Sequence, residues 1–176
     1  MKNIVMCLCA CLLLGALAAA QMGPPTPAPE LKKLDYFVGT WTLSGDMKPG
    51  PFGPGGKMTE TEKVEWMQGS FFLVLHDDFK GDMGTGIGVA YMGYNPEDKV
   101  YTYDAFNSIG EADHSKGTLS GDTWTWASET KMGGKIMKGR FTMKELSATS
   151  YSFNFEMAGE DGNYASIMEG KATKAN

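Results

Sequence analysis

From Val38 to the C-terminus, apolar and polar residues alternate along the chain. Tyr151, Phe153, Phe155 and Met157 share one face of a run whose other face is Ser152, Asn154 and Glu156. Met137, Gly139, Phe141 and Met143 oppose Lys138, Arg140, Thr142 and Lys144, and Trp124 and Trp126 oppose Thr123 and Thr125. Successive side chains of an extended strand point to opposite faces, so this period of two predicts antiparallel strands around a single interior. Strand-like runs fall at 38–47, 57–67, 70–80, 85–94, 99–107, 110–119, 122–130, 135–146, 150–158 and 163–173. Turn chemistry separates most of them. In Asn95-Pro96-Glu97-Asp98 the asparagine and aspartate bond back to nearby backbone and the proline presets φ. Ser120-Gly121-Asp122 and Glu160-Asp161-Gly162-Asn163 supply the glycine that a tight hairpin needs. Lys48 to Gly56, KPGPFGPGG, is a longer loop that no strand would tolerate.

About ten consecutive strands joined by short turns predict an all-β fold, an antiparallel up-and-down barrel whose closure removes exposed edges. An outer-membrane barrel fits less well, because it needs an apolar band facing lipid and many outward positions here are Lys, Glu or Thr. Gly84, Gly86 and Gly88 fall on one face of a run and read as a barrel corner, with a flexible loop over 81–88 fitting equally. Ahead of the strands, Leu31, Leu34 and Phe37 recur at helical spacing after Pro29, which predicts a short N-terminal helix of one or two turns. Residues 21–29, QMGPPTPAP, form an extended proline-rich leader.

The N-terminus departs from this pattern. Lys2 precedes an almost unbroken apolar stretch from Ile4 to Ala20, with Ala18 and Ala20 spaced for a signal peptidase. The expectation is a signal peptide over 1–20, a leader over 21–29 and one barrel domain over 30–174, in a periplasmic or secreted protein that leaves the membrane after cleavage. All three cysteines, Cys7, Cys9 and Cys11, lie in the signal segment. The mature chain therefore has no disulfide, thiolate nucleophile or cysteine-ligated metal, and stands on its hydrophobic core. The full sequence has 16 basic residues against 21 acidic ones, a net charge of −5, with Arg140 as the one arginine, and no basic run to neutralise phosphates. Nucleic acid is excluded as a partner on that ground.

Leu34-Asp35-Tyr36-Phe37-Val38-Gly39-Thr40-Trp41, a short helix followed by Gly-x-Trp, resembles the opening of lipocalin-like (calycin) barrels. Gly93-Tyr94-Asn95-Pro96-Glu97-Asp98-Lys99-Val100-Tyr101 looks like a Gly-Tyr-Asp-Pro-x-x-Lys-x-Tyr hairpin. Asp161-Gly162, followed by Met168-Glu169-Gly170-Lys171-Ala172-Thr173, looks like a closing strand. Together these segments, spanning residues 30–174, are similar to an exported bacterial domain-of-unknown-function family, the one numbered fifteen seventy-nine. The resemblance implies a calycin-like barrel with a tryptophan packed across its closed end, and a basic side chain over that tryptophan. Arg140 is the first candidate for this side chain, with Lys171 or Lys174 as substitutes. Two other barrel families fail residue by residue. Nitrobindins ligate haem through a late histidine, and none follows His114. Fatty-acid-binding proteins use an Arg-x-Tyr pair, and here the spacing reads Arg140-Phe141-Thr142.

The candidate chemistry follows from the aromatic residues. Trp41, Trp66, Tyr91, Tyr103, Trp124, Trp126 and Phe153, with Arg140, are the candidate ligand-binding residues. Aromatic and methionine walls with a few polar groups describe a pocket for a small apolar or aromatic molecule, and a filled core equally well. His76 and Asp78 share a face and could ligate a metal, with His114 and Glu111 or Asp113 nearby, but two ligands on a strand make an incomplete site, so no metal is assigned. Glu156 and Glu169 on the last two strands could form an acid–base pair inside the barrel, or sit outside it beside Lys138, Arg140 and Lys171. No nucleophile elbow, zinc-protease helix, phosphate loop or dinucleotide fingerprint occurs, so no catalytic residue and no cofactor is assigned. The expected function is an exported small-molecule-binding protein. The alternatives are an enzyme using interior carboxylates or histidines, and a filled-barrel interaction module without a ligand.

Overall fold

The computed structural model describes residues 25–50, 53–82, 84–132, 134–159 and 161–175. The signal peptide over 1–20 and the leader up to residue 24 lie outside them. The alternating chain folds as ten strands: β1 (Gly39–Met47), β2 (Gly56–Trp66), β3 (Leu73–Gly81), β4 (Gly84–Asn95), β5 (Val100–Asn107), β6 (Ala112–Ser120), β7 (Thr123–Met132), β8 (Lys135–Ser147), β9 (Ser150–Ala158) and β10 (Tyr164–Lys174). Each pairs antiparallel with the next, and β10 returns to β1, with Trp41 opposite Lys174 and Met47 opposite Met168, so the barrel is closed. Closure gives every strand two hydrogen-bonded neighbours and leaves no edge to template aggregation. Strand ends predicted from the pattern are met within about three residues, the usual uncertainty of such boundaries. The largest difference is at 70–72, where Gly69 (φ 94°) and Ser70 (φ 57°) make a turn before β3 begins at Leu73. At Gly84–Gly88 the chain is strand rather than loop.

The helix is a 3-10 helix over Pro29–Phe37. With three residues per turn, side chains three apart eclipse one another. Leu31, Leu34 and Phe37 therefore lie on a single stripe, and that stripe is buried against the barrel. This stripe accounts for a 3-10 run longer than such helices sustain on their own. Trp66 Nε1 donates to Asp35 at 2.8 Å, and the Tyr101 hydroxyl donates to the carbonyl of Glu30 at 3.1 Å, so both flanks of the helix are tied to strand ends.

The plug rests on an aromatic layer. Trp41 is fully buried, donates its ring N–H to the carbonyl of Phe37 at 2.7 Å, and packs on Tyr151 with centroids 5.0 Å apart. Phe37 meets Trp124 edge-on at 5.2 Å, and Trp124 Nε1 donates to Glu145 at 2.8 Å. The ammonium over Trp41 belongs to Lys174, 4.7 Å from the ring, while Arg140 lies 4.2 Å over Tyr164 and binds Glu156. The first assignment, Arg140 over Trp41, is thus corrected to the substitute Lys174. The register explains it: Lys174 pairs directly opposite Trp41, whereas Arg140 points outward from β8.

Candidate functional site

The opposite half of the barrel is hollow. A cavity of about 290 Å³ lies above Tyr151, walled by Met92, Tyr103, Trp126, Met143 and Phe153. Tyr151 is the floor, with Trp41 on its other side. The filled-barrel alternative therefore does not describe this molecule. Small residues create part of the room. A Cβ on Gly117 would collide with the Trp126 indole, so glycine there lets the ring lie flat against β6. Trp126 stacks on Trp124 with 6° between planes.

One wall is acidic. On β2 the inward positions are Met58, Glu60, Glu62 and Val64, because the pleat sends every second residue inside. On β3, Asp77 shares the inward face of Leu73 and Leu75 and pairs across from Glu62. Carboxylate oxygens of Glu60, Glu62 and Asp77 all lie within 4.8 Å of one another. Asp113 and Ser115 on β6 also line the cavity, and the serine hydroxyl donates to Asp113 at 2.5 Å. Gly88 is the β4 neighbour of Asp77, and a Cβ there would stand 2.9 Å from the Asp77 carboxylate.

These acids have no internal counter-ion. Among the described residues no lysine, arginine or histidine lines the cavity. Burial first, and the charge of Asp77 second, push Glu60 from 4.5 up to about 7. Burial, then Glu60 and Asp77, push Glu62 well above its ordinary range. Burial raises Asp77 too, opposed by His76 outside the wall. Burial and the facing carboxylates raise the Tyr103 phenol further above its normal value. Among the described residues, two buried side-chain polar atoms have no partner: one oxygen of Asp77 and the ring nitrogen of Trp126. Buried polar groups are almost always hydrogen-bonded, so orphans concentrated in one half of the barrel mark it as built for something besides stability. A hard cation could bridge the three carboxylates, but such ions take six or more oxygens and most of the cavity lining is aromatic, methionine or aliphatic.

Of the eight candidate residues, Tyr103, Trp126 and Phe153 line the cavity. Trp41 and Trp124 belong to the closed-end core, and Trp66 sits at its margin on Asp35. Tyr91 is exposed, since its neighbours Ala90 and Met92 take the inward positions. Arg140 lies on the outer face with Glu156. Most of the residues considered for a metal or an acid–base pair lie outside: His76 and Asp78 are exposed, His114 binds Asp104 at 2.7 Å, and Glu169 binds Lys48 at 3.4 Å, whereas Asp113 lines the cavity. Sequence reasoning did not reach Glu60 and Glu62, and set Asp77 aside because it lies on the face opposite His76 and Asp78. Parity was the available signal, because Glu60 and Glu62 fall in step with Met58 and Val64, and Asp77 with Leu73 and Leu75.

Residues 26–174 match the family described as protein of unknown function (DUF1579), and the chain is a member of it. No curated protein matches. Among solved structures, Rv2717c from M. tuberculosis superposes with a TM-score of 0.58 at 13% identity, over 85% of this chain and 99% of that one. The S-type phycobiliprotein lyase CPES from Guillardia theta gives 0.56 at 8% identity, over 82% of this chain and 92% of that one. The structure of EF1p2_mFAP2b bound to DFHBI gives 0.45 at 10% identity, over 82% of this chain and 98% of that one. At these identities the likeness is one of fold.

Proposed function

We propose that this protein is exported and binds a small, largely apolar or aromatic molecule inside its barrel, with Tyr103, Trp126 and Phe153 among the walls. The observation that carries the reading is the cavity of about 290 Å³ in the open half, lined by aromatic and methionine side chains with a few polar groups on one wall. A barrel of this strand number has an interior wide enough for one small ligand. The apolar stretch from Ile4 to Ala20, ending in Ala18 and Ala20, supports export to the periplasm or beyond.

The test uses the mature protein, recovered from the periplasm or medium with Gln21 at its N-terminus. Lipids, quinones, haem and planar aromatics are added in turn, and thermal unfolding is followed. A ligand that binds only the folded chain stabilises it by about 2.7 kcal/mol at a hundredfold excess over Kd. At least one class is expected to raise Tm. A flat response across the whole panel would overturn the binding reading, and recovery of the chain only in the cytoplasm would overturn export.

A further inference from the structure

We propose that the cavity selects organic cations: an ammonium group held by Glu60, Glu62 and Asp77, with its apolar or aromatic body against Tyr103, Trp126 and Phe153. This deepens, and rests on, the ligand-binding reading above.

Three features of the structure converge on that chemistry. The first is an unbalanced acidic wall. Glu62 is only 9% exposed, and the influences on it are burial and like charge, with no hydrogen-bond donor or cation among the described residues. Ion pairs elsewhere on the barrel, such as Lys63 with Glu65 and Lys138 with Glu129, are all on the outside, where they do nothing for the interior acids. Burying carboxylates without partners costs several kcal/mol each unless they stay protonated or meet a cation. The second feature is the orphaned Asp77 oxygen, on a residue that adjoins Glu60 and Glu62 without itself lining the cavity, an acceptor with no partner among the described residues. An ammonium brings N–H donors and positive charge together, and so answers both. The third is the opposing aromatic wall. Faces of Trp and Tyr attract cations through the ring quadrupole, most strongly where water is excluded. A fatty acid or other anion would face the reverse, a carboxylate brought against three carboxyls with no arginine or lysine in reach.

The titratable groups that line the cavity are acids and phenols; His76, on the outer side of β3, is a nearby group that opposes them. β2 contributes Glu60 and Glu62, β3 contributes Asp77 with His76 behind it, β5 contributes Tyr103, β6 contributes Asp113 and β9 contributes Tyr151. β1, β4 and β10 present Leu43, Met92 and Met168. Protons therefore compete with a cation for one wall. Raising the pH through 7 ionises Glu60, where its carboxyl titrates, and strengthens cation binding.

Benzylammonium is the probe, because it carries N–H donors and stays charged between pH 5 and pH 8; benzyl alcohol and phenylacetate are its neutral and anionic counterparts. Calorimetry at pH 8 should show the cation binding at least tenfold tighter than either counterpart, with the advantage shrinking severalfold at pH 5. The double variant Glu60→Gln/Glu62→Gln should lose the cation's tenfold advantage while keeping its affinity for benzyl alcohol, which reports an intact cavity. Equal or tighter binding of the alcohol or phenylacetate would overturn the proposal and leave the ligand-binding reading standing. Tight binding of Mn²⁺ or Ca²⁺ alone, blocking the ammonium, would overturn it in favour of a metal site. Failure of all three organic probes, in a protein that also fails the wider panel, would remove both readings together.

Discussion

The two ends of this barrel are built from the same residue types and obey different rules. At the closed end each aromatic polar handle has a partner: Trp41 on Phe37, Trp66 on Asp35, Trp124 on Glu145, Tyr101 on Glu30, and Tyr36 on the carbonyls of Ser147 and Ser150. In the open half the Trp126 nitrogen and an Asp77 oxygen are buried without partners, and three acids crowd one wall. Satisfied polar groups among close-packed rings stabilise a core. Unsatisfied ones beside empty space destabilise it. The contrast teaches that aromatic richness does not by itself locate a binding site in a barrel. Whether the polar atoms beside the rings are satisfied does.

That contrast can be broken by mutation. Trp41→Ala should produce the largest effect, a loss of about 3–5 kcal/mol in urea unfolding, because a fully buried indole at the plug leaves a cavity and an unpaired Phe37 carbonyl. A loss under about 1 kcal/mol would mean the closed end is not the stabilising half. Glu60→Gln should act in the opposite sense. Folded Glu60 holds its proton to about pH 7 against 4.5 ordinarily, so the folded chain binds more protons between those values. Stability then falls as pH rises from about 4.5 to 7 and levels off above. The amide removes that charge, so unfolding midpoints measured across pH should show a flatter slope and a gain of roughly 1–3 kcal/mol at pH 8. Glu62 and Asp77 keep some slope, since both are also shifted upward. A variant less stable than wild type at pH 8 would show that the acidic wall stabilises the fold. The smallest effect belongs to Lys174→Met, about 1 kcal/mol lost in the same assay, from the cation over Trp41 and the 2.9 Å bond to the Tyr36 carbonyl. No change there would reduce the closed-end cation to a bystander.

Much of the barrel was legible because alternation is a local property. Tyr151, Phe153 and Phe155 in sequence already share a face, and the hairpin turns at Asn95–Asp98 and Gly121 carry their own chemistry. The site was half legible. Tyr103, Trp126 and Phe153 were named for being aromatic, but so were Tyr91, which parity turns outward, and Trp41 and Trp124, which the plug covers. Glu60 and Glu62 went unnamed because charged residues on a strand usually face water, and in isolation these two look like that.

The apolar stretch ahead of the barrel carries every cysteine, and composition alone makes the chain that follows acidic and thiol-free. The number, order and facing of the strands also follow from sequence, since the period of two and the turn residues act over a few positions. Tertiary structure alone decided which end is filled and which is hollow. It paired Glu62 with Asp77 across two strands, brought Lys174 rather than Arg140 over Trp41, and left an Asp77 oxygen buried without a partner. Those outcomes depend on register around a closed sheet and on volumes contributed by ten strands at once, and no local stretch of sequence encodes either.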